Sequence, residues 1–360
     1  MSTSISRPVG YILAGSRVTL RDVARLAQVH YATASTVLNG SKGSTCVSEA
    51  TTQRVLKAAE ELSYKVNRSA QQLKTRRSSV VGLLTGDVEN PFFARMVSVC
   101  SAALEKTGYD VILATRRRDD FGDFHLLESL LTRDLAGVLI WSETLTEVRD
   151  RISKSGMTNV SVMGMHIPGY DSVAGYMDSG IEEALDHLRT EGYNRIAYFA
   201  PSQMLSREGD ARDQIYRRKM AEFGQEELIV TYPGSASDVA AARAAAEELA
   251  KRPEGKRPDA LFCFNDMNAF GAMMGLRRQG LTVPGDIALV GCDNLSVASQ
   301  LDVQLTTIDY PLETVCNRAV TMLLERINAA DEQPEAYGHR LETLETKLVI
   351  RESSRRHLAR

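Results

Sequence analysis

The sequence predicts an α/β protein in which a small helical N-terminal region precedes two parallel sheets arranged in tandem. Between residues 80 and 292, short apolar runs alternate strictly with longer segments of helical period. The apolar runs are continuous, which is typical of parallel strands that helices cover on both faces. The series restarts after a helical segment that ends near Glu191, so we expect two sheets.

The N-terminal region has the helical spacing of a three-helix unit. Thr19 is a suitable N-cap, with Asp22 three residues later. We expect helices over residues 20–27, 31–38 and 48–62. The third helix is expected to add Val55, Leu56, Ala59 and Leu62 to the small core. Two eight-residue helices joined by a three-residue turn have the dimensions of a helix-turn-helix.

The second of these helices presents small or polar side chains that a DNA major groove can accommodate. They are Tyr31, Ala32, Thr33, Ser35 and Thr36. Residues 1–78 contain twelve Lys/Arg and four Asp/Glu, whereas the rest of the chain is acidic. This asymmetry favours a polyanion partner at the N-terminal end. A three-helix bundle with a merely solvated basic face remains the alternative.

The C-terminal body resembles a binding domain more than an enzyme. We predict strands over residues 80–84, 110–114, 137–141, 160–163, 195–200, 228–231, 260–264 and 287–292. We predict helices that include residues 93–108, 124–133, 181–191, 238–252 and 267–279. No dinucleotide-binding, P-loop, nucleophile-elbow or zinc-protease motif is present, and the body's histidines are scattered. We therefore expect no enzymatic activity.

Ligands of open α/β sheets bind beyond the carboxyl ends of the strands, so polar residues there are the candidates. They are Asp87, Asn90, residues 116–118, Asn265, Asp266, Asp293 and Asn294. Phe92 and Phe93 follow the first strand and could stack on a sugar ring. Asn265 could instead be a simple helix N-cap, and Phe93 could belong to the core.

The cysteines and the apolar segments limit cofactors and location. The five cysteines (Cys46, Cys100, Cys263, Cys292, Cys316) are far apart, which argues against a zinc site or a disulfide framework. Cys263 and Cys292 lie in apolar runs and are expected in the core. We expect no metal and no cofactor. No apolar stretch approaches the ~20 residues that span a bilayer, and no signal peptide is evident. We expect a cytoplasmic protein that does not bind membranes.

Sequence motifs along the whole chain resemble those of the LacI/GalR family. They are residues 18–24, Val29, Tyr31, Thr33, Ser35, 37–39, 47–48, 54–55, 61–64, 67–73, 90–93, 265–266, 290–294 and 305–308. The resemblance runs in order through residues 18–353. It implies a repressor that binds a near-palindromic DNA operator as a homodimer, is associated with the nucleoid when bound, and responds allosterically to a small molecule.

The resemblance assigns roles in DNA binding residue by residue. Base-reading positions are Tyr31, Ala32 and Thr36, and phosphate-contacting positions are Thr33, Ser35 and Asn39. Asn67, Ala70 and Leu73 correspond to a hinge helix that folds against DNA and inserts a leucine into the minor groove. From the residues alone, an unstructured tether is the alternative reading of this segment.

The chain departs from the family pattern at several positions near DNA. Thr36 replaces the usual Arg, so the bidentate guanine contact is absent. Gln28 and His30 replace the usual Gly and Ser of the turn, residues 40–46 form a longer loop, and Val66 replaces a proline. These departures leave the preferred operator sequence open.

The resemblance also places the effector site and divides the chain. Arg212, Asn265 and Asp293 match effector-binding positions. The Arg116–Arg118 triplet, with Arg117 at its centre, is less expected from the family; it would suit an anionic effector, and a solvated loop is the alternative. The implied effector is a sugar, a sugar acid or a sugar phosphate. Alternatives are a sugar-binding transport protein, which would need an export signal, and an α/β enzyme fused to a helix-turn-helix.

The implied body is two-lobed and periplasmic-binding-protein-like, with three chain crossings near residues 172–178, 303–307 and 332–340. The expected divisions are a tail (1–17), a helix-turn-helix domain (18–65), a hinge (66–78), an effector-binding and dimerisation domain (79–353) and a second tail (354–360). Within the body we expect a first lobe of residues 79–175 and 306–335 and a second lobe of residues 176–305 and 336–353.

Overall fold

The computed structural model describes residues 18–39, 47–64, 78–115, 125–141, 145–205, 211–329 and 338–356. The chain divides into two compact units, residues 1–77 and 78–360. The helices are α1 (Leu20–Leu26), α2 (Tyr31–Asn39), α3 (Glu49–Glu61), α4 (Pro91–Glu105), α5 (His125–Leu131), α6 (Leu145–Ser155), α7 (Met177–Thr190), α8 (Arg212–Glu222), α9 (Val239–Ala250), α10 (Asp266–Arg278) and α11 (Leu312–Ala329).

The first unit is the predicted three-helix bundle. Thr19 caps α1: its N–H and its hydroxyl donate to the Asp22 carboxylate at 3.0 and 2.6 Å. The core contains Val23, Ala24, Ala27, Ala34, Val55, Ala58 and Ala59. The prediction that Leu56 joins this core was wrong, because α3 turns Ala58 inward and leaves Leu56 45% exposed.

The turn between α1 and α2 forms with Gln28 and His30 at the positions where the family usually has Gly and Ser. Gln28 adopts a left-handed conformation with φ of 51°, which a glycine would adopt more easily. At the start of α2, Nδ1 of His30 accepts a 3.2 Å hydrogen bond from the N–H of Ala32. The imidazole thus caps the helix in place of a serine hydroxyl.

The second unit contains two parallel sheets, as predicted. The strands are β1 (Val80–Thr85), β2 (Asp110–Thr115), β3 (Gly137–Trp141), β4 (Val160–Met163), β5 (Asp171–Tyr176), β6 (Ile196–Pro201), β7 (Leu228–Tyr232), β8 (Ala260–Cys263), β9 (Ala288–Cys292), β10 (Thr306–Asp309), β11 (Leu341–Glu345) and β12 (Lys347–Val349). In the described part of the chain they form two six-stranded sheets, ordered β11-β5-β4-β3-β1-β2 and β12-β10-β9-β8-β6-β7. Only the β10–β12 pair within these sheets is antiparallel.

Two lobe assignments made from the sequence were wrong. β10 pairs with β9 in the second sheet, and β11 pairs with β5 in the first. The buried hydroxyl of Thr307 donates to Asp266, which fixes β10 in the second lobe. Asp171, at the start of β5, accepts hydrogen bonds from the Arg340 N–H (2.9 Å) and guanidinium (3.2 Å), which fixes β11 in the first lobe.

The chain therefore crosses between the lobes after β5, after β10 and between β11 and β12. The first crossing lies where the sequence predicts it, and the other two lie several residues later in the chain. Helix α11 returns to the first lobe, where Val315, Cys316 and Ala319 join the core of β1, β3 and β4. Cys263 and Cys292 are fully buried in the second lobe, as predicted. No helix among the described residues is long and apolar enough to cross a membrane.

Candidate functional site

A cavity of about 320 Å³ lies between the carboxyl ends of the two sheets. Residues at or just after the carboxyl ends of β1, β3, β4 and β5 line it from the first lobe, and residues that follow β8 and β9 line it from the second. Its volume is at the lower end of the range for small-molecule sites. This is the position at which parallel sheets bind ligands.

The cavity brings together six of the seven predicted effector-binding residues. They are Asn90, Phe92, Phe93, Arg212, Asn265 and Asp293. Residues 90 and 293 are separated by about two hundred positions in the chain, so the two-lobed fold is what makes them neighbours. The seventh, Arg117, lies outside the described residues. Asp87 and Asn294 do not line this cavity.

Both asparagines line the cavity and also begin helices. Asn90 Oδ1 accepts from the N–H of Phe92 at 3.0 Å at the start of α4. Asn265 Oδ1 accepts from the N–H of Asn268 at 2.9 Å at the start of α10, and its Nδ2 donates to the Ala236 carbonyl at 3.0 Å. The N-cap alternative for Asn265 is therefore correct, and it coexists with a place in the cavity wall. These bonds hold both amides in fixed orientations.

Asp293 lies in an unusual backbone conformation at the end of β9. Its φ is 116° and that of Asn294 is 49°, a region that residues other than glycine rarely occupy. The Asp293 N–H donates to the Ile308 carbonyl at 2.9 Å, which anchors the bend to β10. Burial, together with the nearby Asp266 carboxylate, raises the pKa of Asp293 well above its ordinary value. Strained residues of this kind concentrate at binding sites.

Asp266 supports this bend from beneath. Its carboxylate accepts from the Thr307 hydroxyl at 2.5 Å and from the Leu295 N–H at 2.8 Å. A side chain at Gly291 would collide with it. Burial raises the pKa of Asp266 to about 7, against the opposing effect of these hydrogen bonds. Asp266 does not line the cavity, so its role is to position the residues that do.

Arg212 supplies positive charge to the second-lobe wall. It is the first residue of α8, and its guanidinium lies over the ring of Phe264, with Cζ 4.4 Å from the ring centroid. This cation–π contact orients the side chain at the cavity. The charge of Arg212 also lowers the pKa of Asp293, partly offsetting its burial. The wall thus offers a cation, a carboxyl group and an amide.

The first-lobe wall of the cavity consists of four aromatic side chains, of which the sequence predicted two. Phe92 and Phe93 were predicted, whereas Trp141 and Tyr310 were not. The four rings contact one another edge to face; Phe92 lies 5.2 Å from Trp141 and 5.6 Å from Tyr310 between ring centroids. Trp141 ends β3 and Tyr310 follows β10. Both rings therefore lie at carboxyl ends of strands, the position from which the polar candidates were chosen.

The predicted DNA-reading residues lie on the outer side of α2. Tyr31 is 49% exposed and Ala32 is exposed, whereas Ala34 is fully buried against the bundle. Thr33, Ser35 and Thr36 are half-buried. The Thr36 hydroxyl donates to the Ala32 carbonyl at 3.0 Å. Asn39 ends the helix. The predicted hinge residues Asn67, Ala70 and Leu73 lie outside the described residues.

Two family models match this sequence. Residues 19–67 match the model described as bacterial regulatory proteins, lacI family, and residues 185–354 match the periplasmic binding protein-like domain. The HTH-type transcriptional regulator GalR of Escherichia coli (strain K12) is 30% identical over 322 residues, which cover 88% of this chain and 90% of that protein. The HTH-type transcriptional repressor PurR of Aliivibrio fischeri (strain MJ11) is 30% identical over 342 residues, which cover 92% of this chain and 98% of that protein.

Solved structures share the fold over the same extent. A lac repressor dimer bound to operator and the anti-inducer ONPF matches with a TM-score of 0.78 at 23% identity, covering 94% of this chain and 99% of that one. A complex of the transcriptional regulator CelR with cellobiose matches with a TM-score of 0.64 at 29% identity, covering 94% and 100%. The chain therefore belongs to the LacI family: it is a DNA-binding transcriptional regulator with a periplasmic-binding-protein-like ligand-binding domain, and not an enzyme.

Proposed function

We propose that this regulator is a repressor that binds a near-palindromic operator as a homodimer and responds to a small carbohydrate-like effector. The cavity between the sheets is the observation that supports a carbohydrate-like effector. It joins a fixed arginine, a carboxyl group and two oriented amides to an aromatic wall, and such polar and planar groups suit a sugar. CelR, a relative by structure, is described in complex with a disaccharide.

In this proposal, residues 18–65 are the DNA-binding domain, residues 66–78 are the hinge, and residues 79–353 bind the effector and dimerise. Tyr31, Ala32 and Thr36 read bases, and Thr33, Ser35 and Asn39 contact phosphates. A single helix-turn-helix makes few base contacts, so two copies on symmetric half-sites are needed for specificity. The effector changes the relative populations of two lobe arrangements, which differ in affinity for the operator.

The effector class is tested with a thermal-shift panel of neutral sugars, sugar acids and sugar phosphates. We expect a neutral sugar derivative to raise the melting temperature of the full chain, because a ligand that binds only the folded state stabilises it. A sugar acid or sugar phosphate is the second candidate, since Arg212 presents a cation to the cavity. A panel in which only nucleobases or amino acids stabilise the chain would contradict the carbohydrate assignment.

The operator is found by selecting fragments of the source genome on the purified protein. The proposal predicts two-fold symmetric sites, and affinity for them that falls steeply with salt because phosphate contacts release counterions. The hinge is tested with Leu73→Ala, which should weaken operator binding far more than binding to a scrambled duplex. Equal losses on both duplexes would exclude the minor-groove role of Leu73.

A further inference from the structure

His30 caps α2, the helix that carries the proposed base-reading residues, with both its main chain and its side chain. Its carbonyl accepts a 3.1 Å hydrogen bond from the N–H of Ala34, the first bond of the helix. Its Nδ1 accepts a 3.2 Å hydrogen bond from the N–H of Ala32, one of the N–H groups that a helix leaves without a partner at its start. The imidazole is therefore bonded directly to the backbone of a proposed base-reading residue.

This hydrogen bond fixes the nitrogen on which the imidazole carries its proton. A backbone N–H can only donate, so Nδ1 of His30 is the unprotonated nitrogen and the ring is neutral. The other nitrogen, Nε2, then holds the proton and is a donor. His30 and Tyr31 are exposed, and Nε2 makes no hydrogen bond to any residue that the structure describes. An exposed donor therefore lies at the start of the helix proposed to enter the major groove.

No charged side chain of the described bundle is bonded to this imidazole. Asp22 and Arg25 of α1 pair with each other, and α2 itself carries no charged residue. The charged residues of the described bundle are Arg21, Asp22 and Arg25 on α1 and Glu49, Arg54, Lys57, Glu60 and Glu61 on α3. None of them forms an ion pair or a hydrogen bond with His30. Within the described residues, the backbone of α2 is thus the hydrogen-bonding partner of the ring.

Protonation of His30 would have opposite consequences for the cap and for a bound phosphate. It turns Nδ1 into a donor, so the bond from the Ala32 N–H is lost, and it places a positive charge at the positive end of the helix dipole. A phosphate oxygen next to Nε2 accepts a hydrogen bond from either form of the ring. The bond from the charged form is about twice as strong, because donor and acceptor then carry opposite charges. DNA therefore favours the charged ring.

We propose that His30 donates a hydrogen bond from Nε2 to an operator phosphate and takes up a proton when the protein binds DNA, so that affinity for DNA rises as the pH falls. The inference rests on the proposed operator binding and adds a pH-dependent contact to it. Histidine is the side chain that gains its charge between about pH 8 and pH 5. The serine that the family usually has at this position cannot become charged, so the dependence is expected from this chain's own residue.

The test measures binding of the full chain to two fluorescent duplexes of equal length, the operator selected from genomic fragments and a scrambled duplex. Affinity is measured at about pH 6 and about pH 8, each over a series of NaCl concentrations. We expect roughly threefold to tenfold tighter binding at the lower pH. Both duplexes should show this gain, because a phosphate contact carries no base information. The slope of log affinity against log salt should steepen by about 1 at the lower pH, since one more counterion is released.

Two variants separate His30 from the other groups that titrate in this range. His30→Asn keeps an acceptor for the cap and an N–H donor but cannot become charged, so it should lose the gain in affinity at the lower pH. At the higher pH its affinity should fall at most about twofold. His125→Asn, which alters an exposed histidine at the start of α5, is the matched control and should keep the full gain. Asp266, whose pKa is raised to about 7, is present in all three proteins, so its contribution cancels from the comparison.

The outcomes distinguish the inference from the function on which it rests. Equal affinity at both pH values, or a gain that survives His30→Asn, would overturn the inference and leave operator binding intact. A gain on the operator alone would point to a base contact and overturn the phosphate contact. Binding to neither duplex would contradict the proposed function and the inference with it. If His30→Asn does not fold, the salt slopes of the unaltered chain still decide, because an equal slope at both pH values excludes an additional cation at the phosphates.

Discussion

The backbone N–H of Gly175 donates a 2.9 Å hydrogen bond to the hydroxyl of Tyr310. Gly175 lies in β5, just before the first crossing between the lobes, and Tyr310 lies in the second crossing. The ring of Tyr310 also lines the effector cavity. One side chain thus contacts the ligand space and joins two of the three crossings, which places it where occupancy of the cavity can affect the angle between the lobes.

Tyr310→Phe should destabilise the body while preserving the shape of the cavity. The change leaves the half-buried Gly175 N–H without its partner, which costs about 1–3 kcal/mol. The measurement is the melting temperature of the full chain. The control is Tyr232→Phe, because the buried Tyr232 hydroxyl has no hydrogen-bond partner among the described residues and its removal should be neutral or stabilising. Equal effects of the two substitutions would contradict this account of the hydroxyl.

Asp266 should make the protein less stable as the pH rises from about 4 to 7. Its pKa is raised to about 7 by burial, so the folded state holds a proton that the unfolded state releases near pH 4. The stabilisation by Asp266 is complete at pH values below its pKa in the unfolded state. It is lost as the pH rises through its pKa in the folded state. Asp266→Asn, which keeps one acceptor oxygen and cannot ionise, should reduce the dependence of melting temperature on pH in this window. Asp293, whose pKa is also raised, should account for the slope that remains.

Asp286→Asn is the control for this pH series. The Thr282 backbone N–H and hydroxyl each donate to Asp286 at 2.7 Å and lower the pKa of this exposed carboxyl. Its contribution to stability is therefore lost only below about pH 4. The control should keep the wild-type slope between pH 4 and 7. A wild-type slope in Asp266→Asn as well would show that Asp266 is ionised in the folded protein.

Arg212→Met should abolish most of the effector response without weakening operator binding. A hydrogen bond from a guanidinium contributes about 1.5–3 kcal/mol, so ligand affinity should fall by roughly tenfold to a hundredfold. The measurement is titration with whichever ligand binds the unaltered chain most tightly. Arg217→Met, on the same helix, removes an exposed ion pair with Glu227 and should leave affinity unchanged. If Arg212→Met bound the ligand with unchanged affinity, Arg212 would not be an effector-binding residue.

Tyr31→Ala should weaken operator binding and leave the fold intact. The side chain is 49% exposed, so its loss should change the melting temperature little. A base contact contributes about 1–3 kcal/mol of discrimination, which predicts roughly a tenfold loss on the selected operator and a smaller one on scrambled DNA. Leu56→Ala, at an equally exposed apolar position on α3, is the control for non-specific effects. Equal losses for both variants would argue against base reading by Tyr31.

Much of the fold follows from local pattern, because continuous apolar runs and helical periods are properties of neighbouring residues. The strands from β1 to β4 and from β6 to β9 were predicted for this reason. The assignment of β10 and β11 was wrong because it depends on contacts such as Thr307–Asp266 and Arg340–Asp171, which join distant parts of the chain. No local pattern encodes such partners.

The residues of the candidate site divide in the same way into those that local sequence pattern predicts and those that depend on tertiary contacts. Asn90, Asn265 and Asp293 could be chosen from the sequence because polar residues after buried strands are conspicuous. Trp141 and Tyr310 were missed because aromatic residues at strand ends resemble ordinary core residues. Their role depends on Gly164 and Gly175, whose missing side chains make room for the rings, and that relationship is visible only in three dimensions.

Effector control of operator binding is measured by fluorescence anisotropy of the full chain on a labelled duplex that carries its selected operator, with and without the ligand that binds the cavity most tightly. We predict saturable binding to the symmetric site, much weaker binding when one half-site is scrambled, and a ligand-induced change in affinity that Arg212→Met removes. Binding indifferent to half-site symmetry, or a ligand effect that survives Arg212→Met, would contradict the account.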